Sequence, residues 1–154
     1  MTPFHAIELA IELATRQRDA LARKHEQAFR TVQKALQQLS QLENYAGDTD
    51  ARWGQGDGGL SVEMLRHHYQ FRDRLQHAVQ LQQGNIAALQ SQQQAAQQAL
   101  AQAEARLAGL KHVLAQRMQV LEKQAQRREQ REMDEFAAQR ARQRATEYRL
   151  GELQ

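Results

Sequence analysis

Residues 65–121 read LRHHYQFRDRLQHAVQLQQGNIAALQSQQQAAQQALAQAEARLAGLKHVLAQRMQVL, and no proline interrupts them. Steps of alternately three and four residues land on Leu65, His68, Arg72, Leu75, Val79, Gln82, Ile86, Leu89, Gln93, Ala96, Leu100, Ala103, Leu107, Leu110, Leu114, Arg117 and Leu121. Twelve of these seventeen are apolar. A period of 3.5 residues is the seam of a left-handed coiled coil. Ser61 stands where an N-cap belongs, and Leu60 and Leu65 are spaced as a hydrophobic staple. The spacing predicts a helix over about 62–149, with the seam lost after Leu121. Gly84 and Gly109 each cost it about 1 kcal/mol relative to Ala.

The same step runs upstream through Ile7, Ile11, Ala14, Arg18, Leu21, His25, Ala28, Val32, Ala35, Leu39, Leu42 and Ala46, of which ten of twelve are apolar. Pro3 suits a first helical turn and Thr2 can cap it, so a first helix is expected over about 4–46. The i,i+4 pairs Asp19–Arg23 and Glu26–Arg30 decorate its outer face. Between the segments, residues 47–60 hold five of the chain's eight glycines, three Asp and Trp53. Such a tract breaks helices. Trp53 is expected to fold back over the end of the helix pair.

Two helices joined by one loop form an antiparallel hairpin. The expected fold is therefore all-α: a two-helix antiparallel coiled-coil hairpin with a longer C-terminal helix, one domain over 1–154. Setting Leu42 opposite Leu65 makes paired residue numbers sum to 107. Leu21 then meets Ile86, Val32 meets Leu75, and the polar seam residues His25 and Gln82 share a layer. In this register helix 1 runs out near Ala103. Leu107, Leu110, Leu114, Met118 and Leu121 would have no partner within the chain, and a stripe of that length needs cover from another protein.

Composition excludes other classes. Gln and Ala account for 52 of the 154 residues, aromatics are 5%, and mean hydropathy is −0.81. No run approaches the ~18 apolar residues of a membrane span. The absence of Cys removes disulfides and thiolate metal sites and leans to the cytosol. The start lacks the charged and apolar regions of a signal peptide. The six His residues contain no i,i+4 pair, so a helix-borne zinc site lacks ligands. No Walker lysine loop or dinucleotide fingerprint occurs, and Ser40, Ser61 and Ser91 suggest no triad. A non-enzyme without metal or cofactor is expected. Basic residues crowd at Arg127-Arg128, Arg131, Arg140, Arg142 and Arg144, but Glu129, Glu132, Asp134 and Glu135 interleave. Phosphate binding favours a uniform basic stripe, so no nucleic-acid partner is expected; a solvated face or an acidic protein surface fits better.

Three islands carry a resemblance. Gln38-Leu39-x-x-Leu42-x-x-Tyr45 closes helix 1, Tyr69-Gln70-Phe71-x-x-x-Leu75-x-x-Ala78 opens helix 2, and Met133-Asp134-Glu135-Phe136-Ala137 lies near the C-terminus. In this order, in a chain of this length, they resemble the FliJ family of flagellar type III export proteins. The resemblance implies an antiparallel coiled coil similar to the central stalk of rotary ATPases. It implies three partners: the flagellar export ATPase, whose ring assembly it promotes; the cytoplasmic domain of a membrane export-gate protein; and flagellar export chaperones. It implies a cytoplasmic location, peripheral on the inner membrane at the flagellar base. Gate-contact positions of the family match at Gln38, Leu42, Tyr45, Phe71, Leu75 and Ala78; two others differ, at Thr49 and Gln82. Leu42 and Leu75 lie on the seam and also read as core, whereas Gln38, Tyr45 and Phe71 lie off it. The stripe Leu107, Leu110, Leu114, Met118 and Leu121, with Met133 and Phe136, fits contact with the ATPase ring. A self-associating structural coiled coil and the equivalent stalk of an injectisome are the alternatives.

Overall fold

The computed structural model describes residues 3–54 and 61–153. It contains two helices, α1 (His5–Gly54, 50 residues) and α2 (Val62–Glu152, 91 residues). At 1.5 Å per residue they are about 75 and 135 Å long. The fold is a two-helix hairpin with the longer helix second, as the periodicity requires. Ser61 caps α2: its hydroxyl accepts from the Met64 N–H at 3.3 Å, and its carbonyl accepts from the Leu65 N–H at 3.1 Å. The cap expected of Thr2 and the staple expected of Leu60 lie outside the described residues.

The first difference from expectation is the end of α1. The helix does not stop at Ala46. It runs through Gly47 to Gly54, so Trp53 lies in its last turn and not in a loop. Three contacts hold this extension against the cost of glycine. The Thr49 hydroxyl donates to the Tyr45 carbonyl at 2.8 Å, Asp50 pairs with Arg72 at 3.2 Å, and the Trp53 ring stacks on His68 with centroids 3.9 Å apart. Tertiary contacts here outweigh a local propensity of about 1 kcal/mol.

Residues Glu12–Leu107 form one compact unit. Within it, the register follows from contacts between the helices: Trp53 with His68, Asp50 with Arg72, and Tyr45 with Phe71. The Gln82 amide also donates to the Ala35 carbonyl at 2.9 Å and to Gln38 Oε1 at 3.2 Å. Paired numbers sum to about 120. Leu42 set opposite Leu65 gives 107, which the structure corrects by two heptads, about 21 Å of helix. A slip of whole heptads keeps every seam residue on the seam, so periodicity alone does not choose between the two registers. In the observed one Leu21 faces Leu100, Val32 faces Leu89, Ala35 faces Ile86 and Ala14 faces Leu107. Burial agrees: among the described residues, Ala14, Val32, Ala35, Ile86, Ala96 and Leu107 are the buried apolar ones.

Half of these six are alanine. The polar seam changes too. His25 does not share a layer with Gln82; it is half-buried at the level of Ala96. The buried polar residue is His68, whose Nδ1 has no hydrogen-bond partner among the described residues.

The second unit comprises Met1–Ile11 and Ala108–Gln154. Its half-buried large apolar residues are Phe4, Ile7, Ile11, Leu110 and Leu114. Every described residue from Ala115 onward is exposed.

Candidate partner-binding surfaces

Residues 38, 42, 45 and 49 rise by four, three and four, and so line one side of α1; residues 71, 75, 78 and 82 do the same on α2. The structure brings these two rows together. At one end Tyr45 and Phe71 meet edge to face, with centroids 5.9 Å apart and planes at 77°. At the other, Gln82 bonds Gln38. Leu42, Leu75 and Ala78 lie between, half-buried. Tyr45 and Phe71 remain exposed, so an apolar aromatic pair faces water on this side of the hairpin. Thr49 spends its hydroxyl on the helix backbone, and Gln82 spends its amide across the seam. The two positions that depart from the family pattern are therefore engaged internally.

Thr49 and Leu75 of these rows also line a shallow groove with Glu43, Ala46, Asp50, Arg72, Gln76 and Val79, bridged by the Asp50–Arg72 pair. Next to Tyr45, Phe71 joins Trp53, Met64, His67 and His68 in lining an open hollow of about 380 Å³. Sequence reasoning missed the stack of Trp53 on His68. The available signal was a lone Trp in a glycine-rich tract and a His at a seam position.

On α2, the stripe expected to lack cover within the chain proves shorter. Leu107 is only 3% exposed, and Leu110 and Leu114 are half-buried. The extension of α1 and the two-heptad shift account for this, because Leu107 gains Ala14 as its neighbour. Met118 and Leu121 are exposed, as are Met133 and Phe136. Met118 and Phe136 are eighteen residues apart, five turns at 3.6 residues each, so they lie along one line of the helix. The Arg140 guanidinium sits 5.7 Å from the centroid of the Phe136 ring, within cation–π range. No ion pair forms within 115–153 among the described residues, which leaves their Arg and Glu side chains to solvent or a partner.

The family model described as Flagellar FliJ protein matches residues 4–146. The chain belongs to the FliJ family. No curated protein and no solved structure matches it. Membership makes this FliJ-family chain a flagellar export-related protein. Its three islands all fall inside the matched span. Among the described residues, no helix is long and apolar enough to cross a membrane. Nor do they contain a group of three or more His, Cys, Asp or Glu placed to hold a metal ion.

Proposed function

We propose that this protein is a non-catalytic adaptor of the bacterial flagellar type III export apparatus. It acts as a central stalk that binds the export ATPase, promotes assembly of its ring and links that ring to the membrane export gate. It also engages flagellar export chaperones, and it works at the cytoplasmic face of the inner membrane. The exposed helix of residues 115–153 carries this reading. Its apolar side chains Met118, Leu121, Met133 and Phe136 are exposed, and such side chains gain most by docking on protein. Leu110 and Leu114 contribute at the edge of that surface, and Leu107 becomes available only when α1 parts from it. Gln38, Leu42, Tyr45, Phe71, Leu75 and Ala78 form the gate surface, with Tyr45 and Phe71 as its anchors, since large exposed aromatic residues supply most contact energy at interfaces.

The test is the activity and oligomeric state of the export ATPase across a concentration series of the protein. Stimulation of both is expected, and a variant with Met118, Leu121, Met133 and Phe136 all changed to Ser abolishes it. No effect of the unaltered chain on either property refutes the proposal. The same exposed side chains favour one alternative, a coiled coil that self-associates through α2. Sedimentation giving a tight dimer with no monomer supports that reading instead.

A further inference from the structure

We propose that the hollow beside Phe71 is a socket for one large apolar side chain of the gate protein, with Trp53 as its wall and His68 as the residue that holds that wall. This rests on the assignment of Tyr45 and Phe71 to the gate surface, and carries that surface on toward the turn of the hairpin. Met64, His67, His68 and Phe71 are spaced i, i+3, i+4 and i+7, so they share one face of α2. Trp53, in the last turn of α1, lies against that face, its ring stacked on His68 with centroids 3.9 Å apart and planes at 28°. These five residues line the open hollow of about 380 Å³. Phe71 belongs to both features: its ring meets Tyr45 edge to face and also lines the hollow. A protein surface seated on the Tyr45–Phe71 pair therefore adjoins the mouth of the hollow.

The lining sets what the hollow accepts. Trp53, Met64 and Phe71 supply apolar surface, and Met64 is 55% exposed and Phe71 38%. No Asp, Glu, Lys or Arg lines it, whereas the neighbouring groove carries Glu43, Asp50 and Arg72. A neutral, apolar occupant fits, and walls of aromatic rings and a thioether favour an aromatic one. The volume is near the small end of ligand pockets, about 300–1,000 Å³, and the hollow is open. A free small molecule would stay partly in water there, whereas a side chain on a docked protein arrives with its own cover. Buried aromatic anchors in pockets carry much of the energy of protein interfaces. His68 points the same way. It occupies a seam position, is 9% exposed, and its Nδ1 has no hydrogen-bond partner among the described residues. An aliphatic residue there would avoid burying an unpaired polar group. It would not offer the flat ring on which Trp53 stacks, so His68 acts as a positioning residue for the indole.

The test titrates the full chain with the purified cytoplasmic domain of the export gate. Trp53 is the sole Trp, so fluorotryptophan incorporated into this chain alone gives one fluorine resonance, whatever tryptophans the partner holds. That resonance should shift as the complex forms and saturate with it. Met64→Ser, at an exposed position, should weaken binding about tenfold, as loss of an interface anchor does. Met64→Leu should restore affinity to within about twofold, and Gln70→Ala, exposed and outside the hollow, should leave it unchanged. His68→Phe keeps a flat ring and removes the unpaired nitrogen, so it should raise the thermal midpoint and retain binding. His68→Leu should leave the midpoint no lower yet weaken binding severalfold, a split that a purely structural role does not give. Binding that depends on Tyr45 and Phe71 while the fluorine resonance stays put and Met64→Ser has no effect overturns the socket and leaves the gate surface standing. No binding by the unaltered chain overturns both. A resonance that shifts with the concentration of this chain alone makes a second copy the occupant and likewise overturns the proposal.

Discussion

Replacing Leu107 by Ala separates the observed register from the one read off the periodicity. In the earlier register Leu107 lies beyond the end of α1, and truncating an exposed aliphatic residue changes stability by less than about 0.5 kcal/mol. In the structure Leu107 is 3% exposed and faces Ala14. Burial of a leucine side chain contributes about 2 kcal/mol, and the void left behind adds to the loss, for a usual range of about 2–5 kcal/mol. The site lies between only two helices, which close over a void more easily than a multilayered core does, so the low end applies: about 2 kcal/mol. For a chain of this size that lowers the melting temperature by roughly 4–8 °C. The control is Met118→Ala. Met118 is 54% exposed, and its loss should move the transition by no more than about 1 °C, on the same scale of a few degrees per kcal/mol. Urea and thermal unfolding followed by circular dichroism at the helical band measure both. Equal, small effects at the two positions would refute the register, and with it the packing of Ala14 on Leu107.

Three further outcomes follow from named contacts. Trp53 is the sole Trp, so His68→Ala should shift its emission and cost about 1 kcal/mol for the lost stack, whereas His67→Ala should leave stability unchanged; an emission spectrum indifferent to His68 would count against the stack. Asp50→Asn removes an exposed ion pair and should lower stability by under about 1 kcal/mol, an effect that vanishes in high salt; a large, salt-independent loss would show that Asp50 does something else. Tyr45→Ala with Phe71→Ala removes a ring pair exposed on one side of the hairpin. It should cost about 1 kcal/mol of stability yet weaken binding to the export-gate cytoplasmic domain by tenfold or more in a titration; unchanged binding would remove these residues from that surface.

The two helices, their antiparallel pairing and the greater length of the second were legible because a 3.5-residue repeat leaves few other folds open. The register was not, for two physical reasons. Heptads are interchangeable to a seam, so Leu21 finds an aliphatic partner in Ile86 or in Leu100. The end of α1 is decided by Trp53 on His68 and Asp50 on Arg72, contacts between residues far apart in sequence that a propensity scale does not see. Gly47 read as a stop and is not one. The same error lengthened the stripe thought to lack cover, to include Leu107. The exposure of Tyr45 and Phe71 was legible for the opposite reason. Both lie off the seam, where a large ring has no packing duty and its exposure follows directly from its position.

The alanines at Ala14, Ala35 and Ala96 set how this hairpin comes apart. A buried methyl contributes roughly 0.8 kcal/mol, against the two or three of a larger side chain. No single layer of such a seam is indispensable, and none is strong. Amide protons along α1 should therefore exchange in a smooth gradient, quickest where the pairing ends, with no sharp boundary between a protected block and a fast one. A zipper of many small teeth opens a little at a time.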